Sequence, residues 1–232
     1  KFESFSASWN QSVDSKPCLD KINLTIRPKE LIALIGKIGS GKSTFLMSFL
    51  KEIPTTSGKL SFSGSLAYVE QEPVIFSGSV RDNILFGKEF DEMFYRRVLR
   101  ACNLDEDLNQ FDHGDETIVG ERGVTISGGQ KARMSLARAL YSQSDIYLLD
   151  DPLSAVDSRV GKIIFERAIK QMLKDKTVIL VTHHLNYAKE ADRVIVMKDG
   201  GIEAEGKFEN LLGMNLDLLQ IFSKENEVEQ TS

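Results

Sequence analysis

Leu31-Ile32-Ala33-Leu34-Ile35-Gly36-Lys37-Ile38-Gly39-Ser40-Gly41-Lys42-Ser43-Thr44 decides the fold. Its apolar start, Leu31–Ile35, has the length and character of a buried strand, and residues 42–51 then read as a helix. Between them, Gly36 to Ser43 fits G-x-x-x-x-G-K-[ST], a loop whose backbone N–H groups wrap a polyphosphate. Gly36, Gly39 and Gly41 let the chain turn its amides inward at angles that other residues resist. The helix starting at Lys42 adds its positive dipole end to the same anion. Lys42 can reach β- and γ-phosphate oxygens, and the Ser43 hydroxyl can ligate Mg²⁺. A chance glycine-rich turn is the plain alternative; the strand before and the helix after argue against it.

A second small, donor-rich turn, Ser127-Gly128-Gly129-Gln130, opens another helix. One cradle suffices to hold one nucleotide, so a second implies a nucleotide held by another molecule. The Ser127 hydroxyl and the amides of Gly128 and Gly129 present donors at a helix start. Ser127-x-x-Gln130 also matches a capping box. A cap alone explains neither glycine, since each costs a helix up to roughly 1 kcal/mol.

Ile146-Tyr147-Leu148-Leu149-Asp150-Asp151-Pro152 is a buried strand ending in two carboxylates. Pro152 supplies no N–H and stops the strand. Asp150 is placed to orient Mg²⁺ through a water, and Asp151 to lie nearest the water that attacks a γ-phosphate. A solvated acidic turn is the alternative, and the upstream phosphate loop argues against it.

Composition narrows the class. The 232 residues, 41% hydrophobic, can build one substantial core with a smaller appended lobe. A net charge of −5 argues against a general nucleic-acid binder. Cys18 and Cys102 lie far apart without metal-like spacing and read as reduced thiols in a cytosolic setting. No apolar run approaches the roughly 18 residues that span a bilayer, and no signal peptide is visible. The start at Lys1 rather than Met points to a segment of something longer, and residues 223–232 read as a polar tail.

Short apolar runs alternate with helical stretches, the pattern of a layered α/β protein with a mainly parallel sheet. Ser65–Glu70, Ile146–Leu149, Thr177–Thr182 and Arg193–Met197 read as strands, and Arg159–Leu173 as one helix with an apolar stripe. The first thirty residues and Gly58–Phe62 look extended, forming a small antiparallel sheet. Between Val80 and Tyr141 strand signals vanish, while Asp91–Cys102 and Gly129–Tyr141 look helical, so this stretch reads as an inserted helical lobe.

These residues resemble the nucleotide-binding domain of an ATP-binding cassette (ABC) transporter, from about Phe2 to Phe222, in the family's motif order. Gly36–Thr44 is similar to Walker A, Gln71 to the Q-loop glutamine, and Ser127–Gln130 to the signature motif, with Ile126 where leucine is usual. Leu148–Asp150 resembles Walker B, Ser154-Ala155-Val156-Asp157 the D-loop, His183 the switch histidine, and Trp9 the aromatic that stacks on adenine. Phe76–Gly87 is similar to the exporter-type sequence after the Q-loop. The compact middle segment and Asp151, where most members carry Glu, resemble the first such domain of subfamily C, the multidrug-resistance-associated and cystic-fibrosis conductance regulator group.

The resemblance implies a P-loop NTPase (RecA-like) core with an N-terminal antiparallel β subdomain and an inserted α-helical subdomain. It divides the chain into core 1–75 and 142–205, helical signature subdomain 76–141, C-terminal helices 206–222 and tail 223–232. It implies bound ATP and Mg²⁺, the metal held by Ser43, Gln71 and Asp150, and ATP contacts from Trp9, Gly36, Gly39, Ser40, Gly41, Lys42, Ser43, Thr44, Gln71, Ser127, Gly128, Gly129 and Gln130. Asp151, His183, Gln71 and Lys42 would carry the chemistry. His184 is the register alternative to His183, His113 reads as a solvated loop residue, and Trp9 could instead be an ordinary core aromatic.

The implied partners are a second nucleotide-binding domain, stacked head to tail, and transmembrane domains that place this domain at the cytoplasmic face of a membrane; nucleic acid is not among them. Aspartate is one methylene shorter than glutamate, so the expected ATPase binds firmly and turns over slowly at its own loops. An ATP-gated regulatory domain of a channel or receptor is the second reading. A soluble cassette ATPase of DNA repair or translation fits poorly with the acidic charge and the exporter-like stretch.

Overall fold

The computed structural model describes residues 1–10, 17–120 and 123–214. In chain order its strands are β1 (Phe2–Ala7), β2 (Leu19–Leu24), β3 (Leu31–Ile35), β4 (Thr55–Leu60), β5 (Leu66–Val69), β6 (Gly78–Ser79), β7 (Ile118–Val119), β8 (Ile146–Asp150), β9 (Thr177–Val181), β10 (Arg193–Lys198) and β11 (Gly201–Gly206). The helices are α1 (Lys42–Phe49), α2 (Val80–Leu85), α3 (Glu92–Ala101), α4 (Asp105–Gln110), α5 (Gly128–Tyr141), α6 (Ser158–Ile164), α7 (Leu185–Lys189) and α8 (Phe208–Leu212). This is the expected α/β architecture, with parallel pairing at its centre and an antiparallel N-terminal sheet. The described residues fall into two compact units, one of Lys1–Ser63 with the residues from Ile179 on, the other Gly64–Val178.

In the first unit β1 runs between β2 and β4, antiparallel to both. Phe2 stacks on Phe45 of α1 with ring centroids 4.9 Å apart, and Phe5 and Phe49 meet Phe2 edge-on. These rings tie the helix after the glycine loop to the antiparallel sheet. The same unit holds β11, β10, β3 and the end of β9 side by side in that order. β10 is parallel to β3, with Val194 opposite Ala33 and Val196 opposite Ile35. Ile32 to Ile35 are fully buried, as an interior strand of a parallel sheet requires. Ala33, Ile35, Ala188, Val194, Val196, Phe208 and Leu211 form one cluster that seats α7 and α8.

Strand β11, absent from the sequence expectations, returns antiparallel to β10 through Asp199-Gly200. Both turn residues have positive φ, 49° and 82°, the two-residue hairpin geometry that suits the strands' twist.

In the second unit β5 pairs in parallel with β8, Tyr68 opposite Leu148 and Val69 opposite Leu149. Every residue of β8 is buried. Helices α2 to α5 follow β5 in the chain, and α5 packs against α2 and α3. The Tyr141 hydroxyl fixes the approach to α3, donating to Glu89 O at 2.7 Å and accepting from Asp91 N at 2.8 Å.

The structure departs from three expectations. Residues 80–141 are not free of strand: β7 pairs antiparallel with β6, though each is too short to leave a periodic signal. The single helix expected over 159–173 is α6 followed by π-helical turns over Phe165–Met172. There Leu173 N donates to Ala168 O, five residues back, at 3.1 Å. The apolar stripe still faces inward through Ile164, Phe165, Ala168 and Ile169. Helix α1 ends at Phe49, short of Lys51, whose φ of 59° no helix allows. Of the C-terminal helices expected over 206–222, α8 is seen; residues 215–222 and the tail 223–232 lie outside the described residues.

Candidate functional site

β3 delivers the chain into the loop Gly36–Gly41, and α1 carries it away. Gly36 is the tight point: a β-carbon there would lie 2.4 Å from Met197 O and 2.5 Å from Ser40 Oγ. Gly41, with φ of 100°, is the residue before α1 and has no side chain to obstruct the helix's free N–H groups. Gly39, with φ of 80°, has nothing within 4 Å of its β position and forms the open lip. Lys42 is buried and folds back across the loop, donating to Gly36 O at 2.7 Å and Lys37 O at 3.1 Å. Its ammonium is thereby held at the cleft. Ser43 and Thr44 begin α1, half-buried.

The loop is supported from outside. Gly200 N donates to Ser40 O at 3.1 Å, and Gly200 O accepts from Asp20 N at 3.0 Å. The β10–β11 turn is thus a bracket between β2 and the phosphate loop. Sequence reasoning missed this bracket, although Asp-Gly between two strand-like runs is a strong hairpin signal.

In the same unit β9 neighbours β3, and Thr182 N donates to Leu34 O at 3.4 Å. His183 therefore follows a strand that ends beside the one feeding the loop. His184 starts α7: its N–H donates to Thr182 Oγ1 at 3.0 Å and its ring lies 5.0 Å from that of Tyr187. Those contacts give His184 a local structural role. Trp9, just past β1, is 55% exposed and so is no core aromatic. His113 precedes the 3₁₀ turn Gly114–Glu116 on an exposed loop.

In the second unit Asp150 closes β8, and Asp151 follows with φ of 51°, in the left-handed region. That conformation costs a residue with a β-carbon about 1–2 kcal/mol. Ser154 stabilises the turn through its N–H and hydroxyl, which donate to Asp151 O at 3.2 and 2.9 Å. Both carboxylate residues are buried. Tyr68 stands on the neighbouring strand, with its phenol close enough to Asp150 to feel that carboxylate's charge. Burial, and then the charges of Asp150 and Glu70, push this phenol above its ordinary value. The sequence reading took no account of Tyr68.

Gln71 is exposed just beyond β5. The loop it opens is pinned by Asn83, which accepts from Phe76 N at 2.9 Å and donates to Phe76 O at 2.8 Å. Arg138 of α5 completes the clamp, donating to Val74 O at 2.9 Å and to Asn83 O at 2.8 Å. Its guanidinium also lies over the rings of Phe76 and Phe86, which stack on each other at 5.2 Å. Burial lowers the Arg138 guanidinium from its ordinary value, against the opposing charge of Glu70.

Ser127 caps α5. Its Oγ accepts from Gln130 N at 3.2 Å, and Gln130 Oε1 accepts from Ser127 N at 2.8 Å, the reciprocal box anticipated from the sequence. Ser127 and Gly128 are exposed. The Gln130 Nε2 donates inward, to Asp107 Oδ1 at 3.0 Å.

The residues fit a magnesium nucleotide. Ser40 Oγ is buried without a hydrogen-bond partner at the crevice that a side chain at residue 36 would fill. Such a hydroxyl is costly unless a ligand satisfies it. Asp150, buried at the end of β8, is the kind of carboxylate that Mg²⁺ takes together with phosphate oxygens and waters. Trp9, the glycine loop and His183 lie in the first unit; Gln71, Asp150, Asp151 and Ser127–Gln130 lie in the second. Cys18 and Cys102 are both free thiols. Among the described residues no helix is long and apolar enough to cross a membrane.

Comparison with known proteins follows the same line. The family described as ABC transporter matches residues 19–154. ATP-binding cassette sub-family C member 4 of Mus musculus is 47% identical over 230 residues, covering 99% of this chain and 17% of that protein. The protein of the same name from Homo sapiens is 45% identical over 225 residues, covering 97% and 17% respectively. ABC transporter C family member 3 of Arabidopsis thaliana is 45% identical over 220 residues, covering 95% and 14%. The chain thus spans less than a fifth of the length of these relatives.

Proposed function

The chain belongs to the ABC transporter family, and we propose that it is the ATP-binding domain that powers or gates export through a subfamily C membrane protein. The observation that carries this reading is the loop Gly36–Thr44, where Lys42 is seated across two backbone carbonyls beside the unsatisfied hydroxyl of Ser40. A polyphosphate would draw the Lys42 ammonium onto its oxygens and satisfy Ser40, while the α1 N-terminus adds its dipole.

We assign adenine stacking to Trp9 and the phosphates to Gly36, Gly39, Ser40, Gly41, Lys42, Ser43 and Thr44. Ser43, Gln71 and Asp150 are the oxygen donors assigned to Mg²⁺. When bound, that ion neutralises charge on the transferred phosphoryl group. Asp151 is assigned to the attacking water and His183 to donation toward the γ-phosphate. Ser127, Gly128 and Gly129 complete a nucleotide site on a second nucleotide-binding domain, stacked head to tail. Transmembrane domains hold the pair at the cytoplasmic face of a membrane.

Asp151 supports a second reading. Its short carboxylate favours weak hydrolysis at this domain's own loop, as an ATP-gated regulatory domain of a channel or receptor would have. Steady-state hydrolysis by the paired domains, set against ATP binding, separates the two readings.

The founding test uses Trp9, the sole tryptophan of the chain. Mg-ATP should quench or shift its emission, and Lys42→Ala should abolish that response. Undiminished ATP affinity in Lys42→Ala would overturn the assignment of the loop.

A further inference from the structure

The signature turn Ser127–Gly129 is braced from two directions within its own unit. A capping-box glutamine is satisfied once its oxygen meets the cap N–H, and its NH₂ can then point into water. Here the Gln130 NH₂ instead reaches Asp107, a residue of α4 that lies 23 positions earlier in the chain. Asp107 is buried and receives three further contacts from Arg133, at 3.2 Å from Nε and at 2.8 and 2.7 Å from Nη2. The pair is nearly closed to solvent, each side chain 12% exposed. On the other side, a β-carbon at Gly129 would lie 3.0 Å from Ala155 O and 3.4 Å from Arg133 Nη1. The turn is thus pressed between the Asp107–Arg133 pair and the backbone of Ala155.

We propose that Asp107 is a positioning residue for the nucleotide site that Ser127–Gly129 completes on the mate domain, acting through Gln130 and Arg133. Gln130 is then the link that sets the turn, rather than a nucleotide ligand. Ser127 Oγ already accepts from Gln130 N, so its hydroxyl hydrogen is the part that donates outward. A turn fixed before the nucleotide arrives loses less freedom on binding and places its donors without adjustment. The proposal rests on the reading that this turn meets a mate's nucleotide.

The test compares Asp107→Ala, the charge-neutral double variant Asp107→Asn with Arg133→Gln, and Ser127→Ala in the full-length protein. Asp107→Ala leaves Arg133 as an unpaired buried charge and costs stability, whereas the double variant strands no charge and separates loss of the brace from loss of the fold. The measurements are steady-state ATP hydrolysis and photolabelling of the Gly36–Ser43 loop by azido-ATP. Both Asp107 variants should lose turnover on the order of 10- to 100-fold, as misplaced site groups do. Labelling of their own loop should stay within about twofold of the parent, since that loop binds independently of the turn. Ser127→Ala should show the same split.

Turnover retained in both Asp107 variants but lost in Ser127→Ala would overturn the positioning role and leave the two-domain site standing. Turnover retained in Ser127→Ala would overturn the reading beneath it. Labelling and turnover falling together in the Asp107 variants would reduce the pair to a structural brace and overturn the proposal.

Discussion

The amide of Gly200 donates to the carbonyl oxygen of Ser40 at 3.1 Å, so the tip of the β10–β11 hairpin holds the phosphate loop from behind. Gly200 has φ of 82°, and a β-carbon there would sit 2.4 Å from Cys18 O, a backbone atom that cannot step aside. Gly200→Ala should therefore strain the hairpin and shift its N–H from Ser40. The expected loss of stability is about 1–3 kcal/mol, the range for a residue forced into a disfavoured backbone region. Denaturant unfolding reads the first effect, and calorimetric titration with ATP should show weakened binding alongside it. Parental stability would mean the hairpin relaxes freely and braces nothing.

Asp151 links chemistry to strain. Its left-handed backbone is one that Asp tolerates better than Glu, because a short polar side chain can bond locally. Asp151→Glu extends the carboxylate by one methylene, and hydrolysis by the assembled pair should rise, by up to roughly 100-fold if the misplacement is near 1 Å. Stability should fall slightly in the same variant. A rise in turnover without that fall would show that the turn does not select aspartate. Unchanged turnover would show that the length of this side chain does not limit hydrolysis.

Tyr68, opposite Leu148 on the neighbouring parallel strand, lies within electrostatic reach of Asp150 two positions further on. Tyr68→Phe keeps the ring and removes the polar hydroxyl beside the carboxylate. Stability on chemical unfolding should change by no more than about 0.5–1.5 kcal/mol, the range for losing one polar group. With Asp150 assigned to Mg²⁺, the Mg²⁺ concentration needed for half-maximal ATP binding should rise, because the phenol borders the carboxylate in that assignment. An unshifted magnesium dependence would confine Tyr68 to packing.

The parts of this site legible in the sequence are those made by contiguous residues. Leu31–Thr44 announces strand, loop and helix because strand length, glycine spacing and Gly-Lys-Ser lie within one short stretch. Ser127-x-x-Gln130 announces its box for the same reason. Asp107 with Gln130, Tyr68 with Asp150, and Gly200 with Ser40 join residues far apart in sequence, so periodicity cannot show them; strand order and helix packing must be known first. Strand β11 escaped notice because its alternating polar residues sit at a half-exposed edge, although Asp199-Gly200 marked its turn. The π-helical turns at Phe165–Met172 leave the apolar stripe unchanged and so carry no local signal.

Asp145, just before β8, gives a pH-dependent test of how β5 and β8 are joined. Its carboxylate accepts from Ser65 N at 2.9 Å and from Ser65 Oγ at 2.8 Å, with Lys176 at 3.6 Å. The Ser65 amide first, then the Ser65 hydroxyl, hold this carboxyl below its ordinary value, while burial works weakly the other way. A folded value lower than the unfolded one means the bonds stabilise the protein above the ordinary aspartate range. That contribution is lost as pH falls through the lowered folded value. Asp145→Asn should therefore make stability less steep on the acid side and leave the slope near neutrality alone. Carbon-detected NMR titration of the side chain should place its midpoint below about 3.9, the unperturbed aspartate value. A midpoint at or above that value would mean that Ser65 does not hold the charged form, and the link between the two strands would then rest on their backbone ladder.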